Sequence, residues 1–156
     1  MKISDYFAEM YVAGRFAEEG WNVYFPRRDN GFDFIICKQD QQGGPVIRPV
    51  QVKGKYPEKD KTNKATYGFM GLLSQVHPDM VLAIPFFDSI DRDMPVFTAY
   101  VPRKLVRTST RGYRCHPAIF ENGRVEPRKH YTRFFGDAGI RMLEAPGWSN
   151  LQVEAD

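Results

Sequence analysis

The chain has 156 residues, enough for one domain with a proper core. Hydrophobic residues make up 42% and charged residues 26%, an ordinary balance for a water-soluble globular protein, and no apolar run approaches the ~20 residues of a membrane span. The net charge of +3 is uneven, because residues 101–133 hold nine Lys and Arg against Glu121 and Glu126, which leaves the remainder at −4.

That asymmetry suggests an anionic partner for the basic segment; the plainer alternative is a solvated surface whose clustering is only sequential. The N-terminus MKISDYFAEM lacks the apolar stretch of a signal peptide. Cys37 and Cys115 make no disulfide framework, so a reducing cytoplasm is the expected location. With His77, His116 and His130, they offer too little for a Cys/His zinc site.

In chain order, Ser4 to Glu19 reads as a helix, with Ser4 as N-cap and Gly20 as stop. Tyr6, Met10, Ala13, Gly14 and Ala17 form its expected apolar stripe, and Glu9 lies at the flank of that stripe. On an isolated amphipathic helix such a glutamate is ordinarily a surface residue. Trp21 to Phe25 is a short strand closed by Pro26, and Arg27 and Arg28 open a charged turn that suits either a phosphate or plain solvent. FDFIICK from Phe32 and VIRPVQVKGK ending at Lys55 read as two strands of a hairpin, joined by a turn around Gly43, Gly44 and Pro45.

Tyr56 to Thr66 is a lysine-rich loop and Phe69 to Val76 a short helix. Met80 to Phe87 is continuously apolar, hence a strand buried on both faces, and Pro95 to Val101 is another strand. Further on, the sequence predicts a short helix over Pro102 to Thr108, a hairpin over 113–126 around Asn122–Gly123, and a helix from Asp137 to Leu143. The tail after Gly147 reads as loosely held. Helix, three meandering strands, helix and buried strand predict a mixed sheet flanked by helices, an α/β or α+β fold in one domain.

Two polar sites interrupt the strands. Asp33 sits near the start of one, and Gln51 and Lys53, two apart on its neighbour, share a face. An acid beside a Gln-x-Lys could converge on one metal and one phosphate. Taken singly, Lys53 also fits a strand lysine that lays its stem on the sheet and its amine in water.

This element order, with polar residues at these places, resembles the core of the PD-(D/E)xK nuclease superfamily. The resemblance covers roughly residues 4–87 and leaves a basic C-terminal extension, about 95–156, outside it. Its motif falls on Asp33 and on Gln51-Val52-Lys53, and Glu9 takes the place of the first-helix glutamate that often completes the site. The Glu9-to-Asp33 spacing and small size are similar to the archaeal Holliday-junction resolvases. The family ordinarily carries an acid where this chain has Gln51, although several restriction-type branches use Gln-x-Lys.

The resemblance implies a restriction-endonuclease-like mixed sheet and a metal-dependent endonuclease that hydrolyses DNA phosphodiesters, with RNA left open. It implies Mg²⁺, or Mn²⁺, held by Asp33, Gln51, the Val52 carbonyl and Glu9, with Lys53 orienting the attacking water. Arg27, Arg28, Lys55, Arg103, Lys104 and Arg107 are the expected nucleic-acid contacts; no membrane is expected, and a homodimer is left open. One alternative is a catalytically silent nuclease-like domain that binds nucleic acid or a protein. Another is an unrelated α+β enzyme acting on a small anion, against which stands the lack of a P-loop, a GxGxxG after a strand, or a GxSxG elbow.

Overall fold

The computed structural model describes residues 3–28, 31–57, 68–73, 76–88 and 94–153. Helix α1 (Ile3–Glu18) begins before Ser4, so Ser4 lies inside the first turn rather than at the cap. It ends as Gly20 predicts. Gly20 takes φ +87°, its N–H reaches the Ala17 carbonyl, and the Trp21 N–H reaches Phe16, both orphan carbonyls of the last turn.

The buried face of α1 shares only Ala13 with the expected stripe. Ala8, Val12, Ala13 and Phe16 face the core, whereas Tyr6 and Met10 are 53% and 37% exposed and Gly14 and Ala17 face solvent. Two rows competed on this helix. The row with Val12 and Phe16 buries more apolar area than one ending in Gly14 and Ala17.

The chain then meanders through β1 (Asn22–Tyr24), β2 (Phe34–Gln39) and β3 (Pro45–Val52), all antiparallel, with Val23 opposite Ile36 and Phe34 opposite Val50. The β2–β3 turn is held by Asp40, whose carboxylate accepts the N–H groups of Gln42 and Gly44 at 2.9 and 2.8 Å. The lysine-rich connection falls outside the described residues from 58 onward.

The helix expected over Phe69 to Val76 is replaced by strand β4 (Phe69–Gly71), and residues 74 and 75 lie outside the described residues. Gly71 adopts φ +72°, a conformation that breaks a right-handed helix. Strand β5 (Val81–Phe86) returns parallel to β3, with Val50 opposite Val81, and β6 (Phe97–Pro102) closes antiparallel to it. The five-stranded mixed sheet has the order β1-β2-β3-β5-β6. The meander and the buried fourth strand of the core agree with expectation, since all six residues of β5 are buried.

The expected helix at Pro102 to Thr108 shrinks to one 3₁₀ turn, Arg103–Leu105, followed by β7 (Arg107–Ser109). β7 pairs with β8 (Gly112–Arg114), which also takes β4, in a second sheet. β9 (Ala118–Glu121) and β10 (Arg124–Pro127) form the expected hairpin, with Asn122 and Gly123 both at positive φ. Helix α2 (Gly136–Met142) lies within a residue of its expected bounds.

The central sheet buries both faces, and β5 shows why. Val81 and Ala83 point to α1, where Phe16, Phe34 and Tyr100 pack. Leu82, Ile84 and Phe86 point to the other face, covered by Val106, Cys115, Phe120 and Phe134 of the C-terminal segment. The tail is also bound more tightly than its sequence suggests, because Trp148 is fully buried in the first of these cores. Arg48, a buried residue of β3, fixes it there. Its Nε donates to the Leu143 carbonyl at 2.8 Å, an Nη donates to Ser149 Oγ at 3.2 Å, and the guanidinium lies 4.6 Å from the Trp148 ring centre. Among the described residues no helix is long and apolar enough to cross a membrane.

Candidate active site

The β2–β3 ladder stops at Phe34 and Val50, and Asp33 takes over where it stops. Its N–H donates to the Val50 carbonyl at 2.9 Å. Its carboxylate Oδ2 accepts the Val52 N–H at 2.6 Å, in the place a backbone acceptor would fill had β2 continued. A carboxylate paired to a backbone N–H makes a short, charge-assisted bond, which fixes the side chain at the strand end.

Gln51 on β3 and Lys53, one residue past its end, line one cleft with Asp33. Gln51 is 7% exposed, and its buried Oε1 has no hydrogen-bond partner among the described residues. Beyond β3, Lys53 and Lys55 keep the parallel pairing going, their N–H groups donating to Ala83 and Pro85 at 2.9 Å each. Between them Gly54 leaves little room, since a side chain there would press on Tyr56 and Ala8 at 3.3 and 3.5 Å. Tyr56 in turn stacks on Phe87 at 4.4 Å.

Helix α1 crosses above and brings Asp5 and Glu9, one turn apart, to the same place. The resulting cleft of about 190 Å³ is lined by Asp5, Ala8, Glu9, Asp33, Gln51, Val52, Lys53, Gly54 and Lys55. Glu9, Asp33, Gln51, Val52, Lys53 and Lys55, all singled out from the sequence, therefore meet in one cleft. Asp5 was missed, although its i, i+4 spacing from Glu9 was the available signal. The Lys55 ammonium donates to the Phe69 carbonyl, and burial, reinforced by the neighbouring Lys53 charge, pulls its pKa below the ordinary lysine value.

The other expected contacts lie elsewhere. Arg27 and Arg28 are exposed after β1 and do not line the cleft. Arg103 and Lys104 border a separate depression with His77, Asp79 and Ser149. Arg107 lies in a third, with Arg114 and Arg128.

The donor set bears on which metal the cleft would take. Among the described residues no three His, Cys, Asp or Glu side chains group as a metal site. The cleft's lining offers carboxylates, an amide and lysines, with no Cys or His among it. Mg²⁺ asks for less, one or two carboxylates with several waters. The Asp33 carboxylate beside the unsatisfied Oε1 of Gln51 fits that demand, because a buried acceptor without a donor is costly until a cation or donor meets it. Comparison with family models, with curated proteins and with solved structures gives no significant match.

Proposed function

We propose that this cleft is the active site of a Mg²⁺-dependent endonuclease that hydrolyses phosphodiesters in DNA, on a restriction-endonuclease-like core. One observation carries the reading. An acid at a strand end, a buried unsatisfied amide oxygen and a lysine two residues on meet in one cleft with a helix-borne glutamate. The antiparallel meander running into a parallel β5 supports it.

Asp33, Gln51 Oε1, the Val52 carbonyl and Glu9 would hold the ion, which when bound polarises the phosphate and acidifies water. The remaining work falls to the chain. The Lys53 ammonium orients the attacking water and offsets charge gathering on the phosphoryl oxygens. The Asp33–Val52 bond keeps the carboxylate from turning away, so its geometry is set before substrate arrives.

A second reading, a catalytically silent nuclease-like domain, is favoured by Gln51 in place of an acid and by the lack of a three-carboxylate group among the described residues. Calorimetric titration with Mg²⁺, alongside cleavage of labelled duplex, junction and single-stranded DNA in Mg²⁺ or Mn²⁺, separates the two. Metal binding with cleavage that Lys53→Ala abolishes supports the enzyme. Neither binding nor cleavage leaves the silent domain.

A further inference from the structure

We propose that the pocket walled by Arg107, Arg114, His116, Arg128 and His130 binds a single phosphate group of a nucleic-acid strand. Naming the strand as the source rests on the nuclease reading; binding of phosphate rests on the pocket alone. The pocket measures about 230 Å³, and its lining contains three guanidinium groups and two imidazoles but no carboxylate. That volume equals nearly eight waters at ~30 Å³ each, ample for a phosphate with part of its hydration shell.

Among the described residues Arg107, Arg114 and Arg128 pair with no carboxylate, whereas Arg15, Lys38 and Arg141 all do. Arg107 and Arg114 stand directly opposite each other on β7 and β8, a like-charge pair that repels until an anion sits between. They are nevertheless held in place. Arg114 lies 5.5 Å over the Phe69 ring and Arg128 5.6 Å over Tyr131, contacts that restrain both guanidinium groups. One Arg128 Nη donates to the His116 carbonyl at 2.9 Å, which fixes its stem.

The His116 ring is seated against bare backbone, since a Cβ on Gly68 would fall 2.0 Å from its Nδ1. Burial, with the charges of Arg128, Arg114 and Arg107, pulls the His116 pKa below its ordinary value. Three guanidinium groups with no carboxylate in the described lining make the field in the pocket positive. Three arginines match the oxygens of a phosphate better than a carboxylate, which has only two.

Phe69 links this pocket to the cleft. Its carbonyl takes the Lys55 ammonium from the cleft, and its ring lies under Arg114. A strand whose one phosphate lies beside Lys53 and Lys55 thus has a second anchor across β4.

The test is calorimetry on the full chain in EDTA, so that no metal engages the cleft. The titrants are inorganic phosphate, a 5′-phosphorylated oligonucleotide and its 5′-hydroxyl twin. Arg107→Ala/Arg114→Ala, which relieves repulsion in the apo protein and so should fold, is expected to weaken binding of both phosphate and oligonucleotide about tenfold or more. Arg111→Ala/Arg124→Ala removes the same charge outside the pocket lining and should cost less than about threefold. Preference for the 5′-phosphorylated strand identifies a terminal phosphate and equal binding an internal diester; both support the pocket.

Equal losses in the two double variants would overturn the proposal, showing diffuse charge rather than a pocket. Oligonucleotides that fail to compete with inorganic phosphate would overturn the strand as its source. Val153 lines the pocket, and the acids Glu154 and Asp156 follow it outside the described residues. Phosphate binding only to a chain shortened to Val153 would assign the pocket to that tail and overturn the proposal as well. Failure to cleave in Mg²⁺, with phosphate binding in EDTA intact, would sink the nuclease reading and leave the pocket standing.

Discussion

Replacing Asp33 tests the cleft most directly, and the choice of replacement decides what is learned. The carboxylate accepts the Val52 N–H at 2.6 Å, and Val52 is only 8% exposed. Asp33→Ala removes the acceptor and strands that N–H, which costs ~1–3 kcal/mol. Asp33 is half-buried and the cleft admits water, so the lower part of that range, ~1–2 kcal/mol, is expected. For a chain of this size ~1 kcal/mol lowers Tm by ~2–4 °C, so Asp33→Ala should melt ~2–8 °C early.

Asp33→Asn keeps an oxygen for Val52 and loses only charge assistance, about half the bond's strength, so its Tm should fall by no more than half as much. Both variants should lose metal-dependent cleavage. Both should also lose the rise in Tm that Mg²⁺ gives a protein binding it only when folded. Differential scanning calorimetry with and without Mg²⁺, paired with a cleavage assay, reads all of this. An Asp33→Asn protein that cuts DNA at the wild-type rate would refute Asp33 as a metal ligand. Equal melting of the Ala and Asn variants would refute the capping of Val52.

Gln51→Glu should lower the Tm without metal, by burying a second carboxylate beside Asp33, and Mg²⁺ should restore it; a metal-blind variant would make Gln51 a structural residue. Lys53→Ala should keep its Mg²⁺ binding heat yet lose ~10²-fold or more in turnover, read in single-turnover cleavage, because the lost contact strengthens in the transition state. Replacing Arg103, Lys104 and Arg107 with Ala should flatten the log–log salt dependence of DNA binding in Ca²⁺ by ~0.9 per side chain that touches phosphate, and an unchanged slope would move the binding face to Arg27 and Arg28. Cys115 is buried, which pushes its thiol pKa up to about 12, so native protein should be alkylated at Cys37 alone until it is unfolded.

What could be read from the sequence was what repeats locally. Period two along a strand places Gln51 and Lys53 together, and a continuous apolar run makes β5 a buried strand. What could not be read was set by partners far along the chain. Whether α1 buries Met10 or Phe16 depends on Phe34 and Tyr100, which meet Phe16 edge-on at 6.1 and 5.3 Å. That Phe69 is a strand residue depends on Arg114 opposite it. The capping of Val52 depends on where the β2–β3 register runs out, which neither strand states alone. Trp148 looked like part of a tail because the core it joins includes residues more than a hundred positions earlier, among them Val12, Phe16 and Ile36.

The anchoring of that tryptophan also sets an order on synthesis. Every residue lining the cleft has been made once Lys55 is added. The Arg48 guanidinium, beside them on β3, meets the Leu143 carbonyl only 95 residues later, a delay of roughly 5–20 s at ~5–20 residues per second. Until then a charge destined for burial lacks its native partner, and the sheet that carries Gln51 and Lys53 has an open face. A ribosome-bound chain that already contains the whole cleft should therefore still be soft around it.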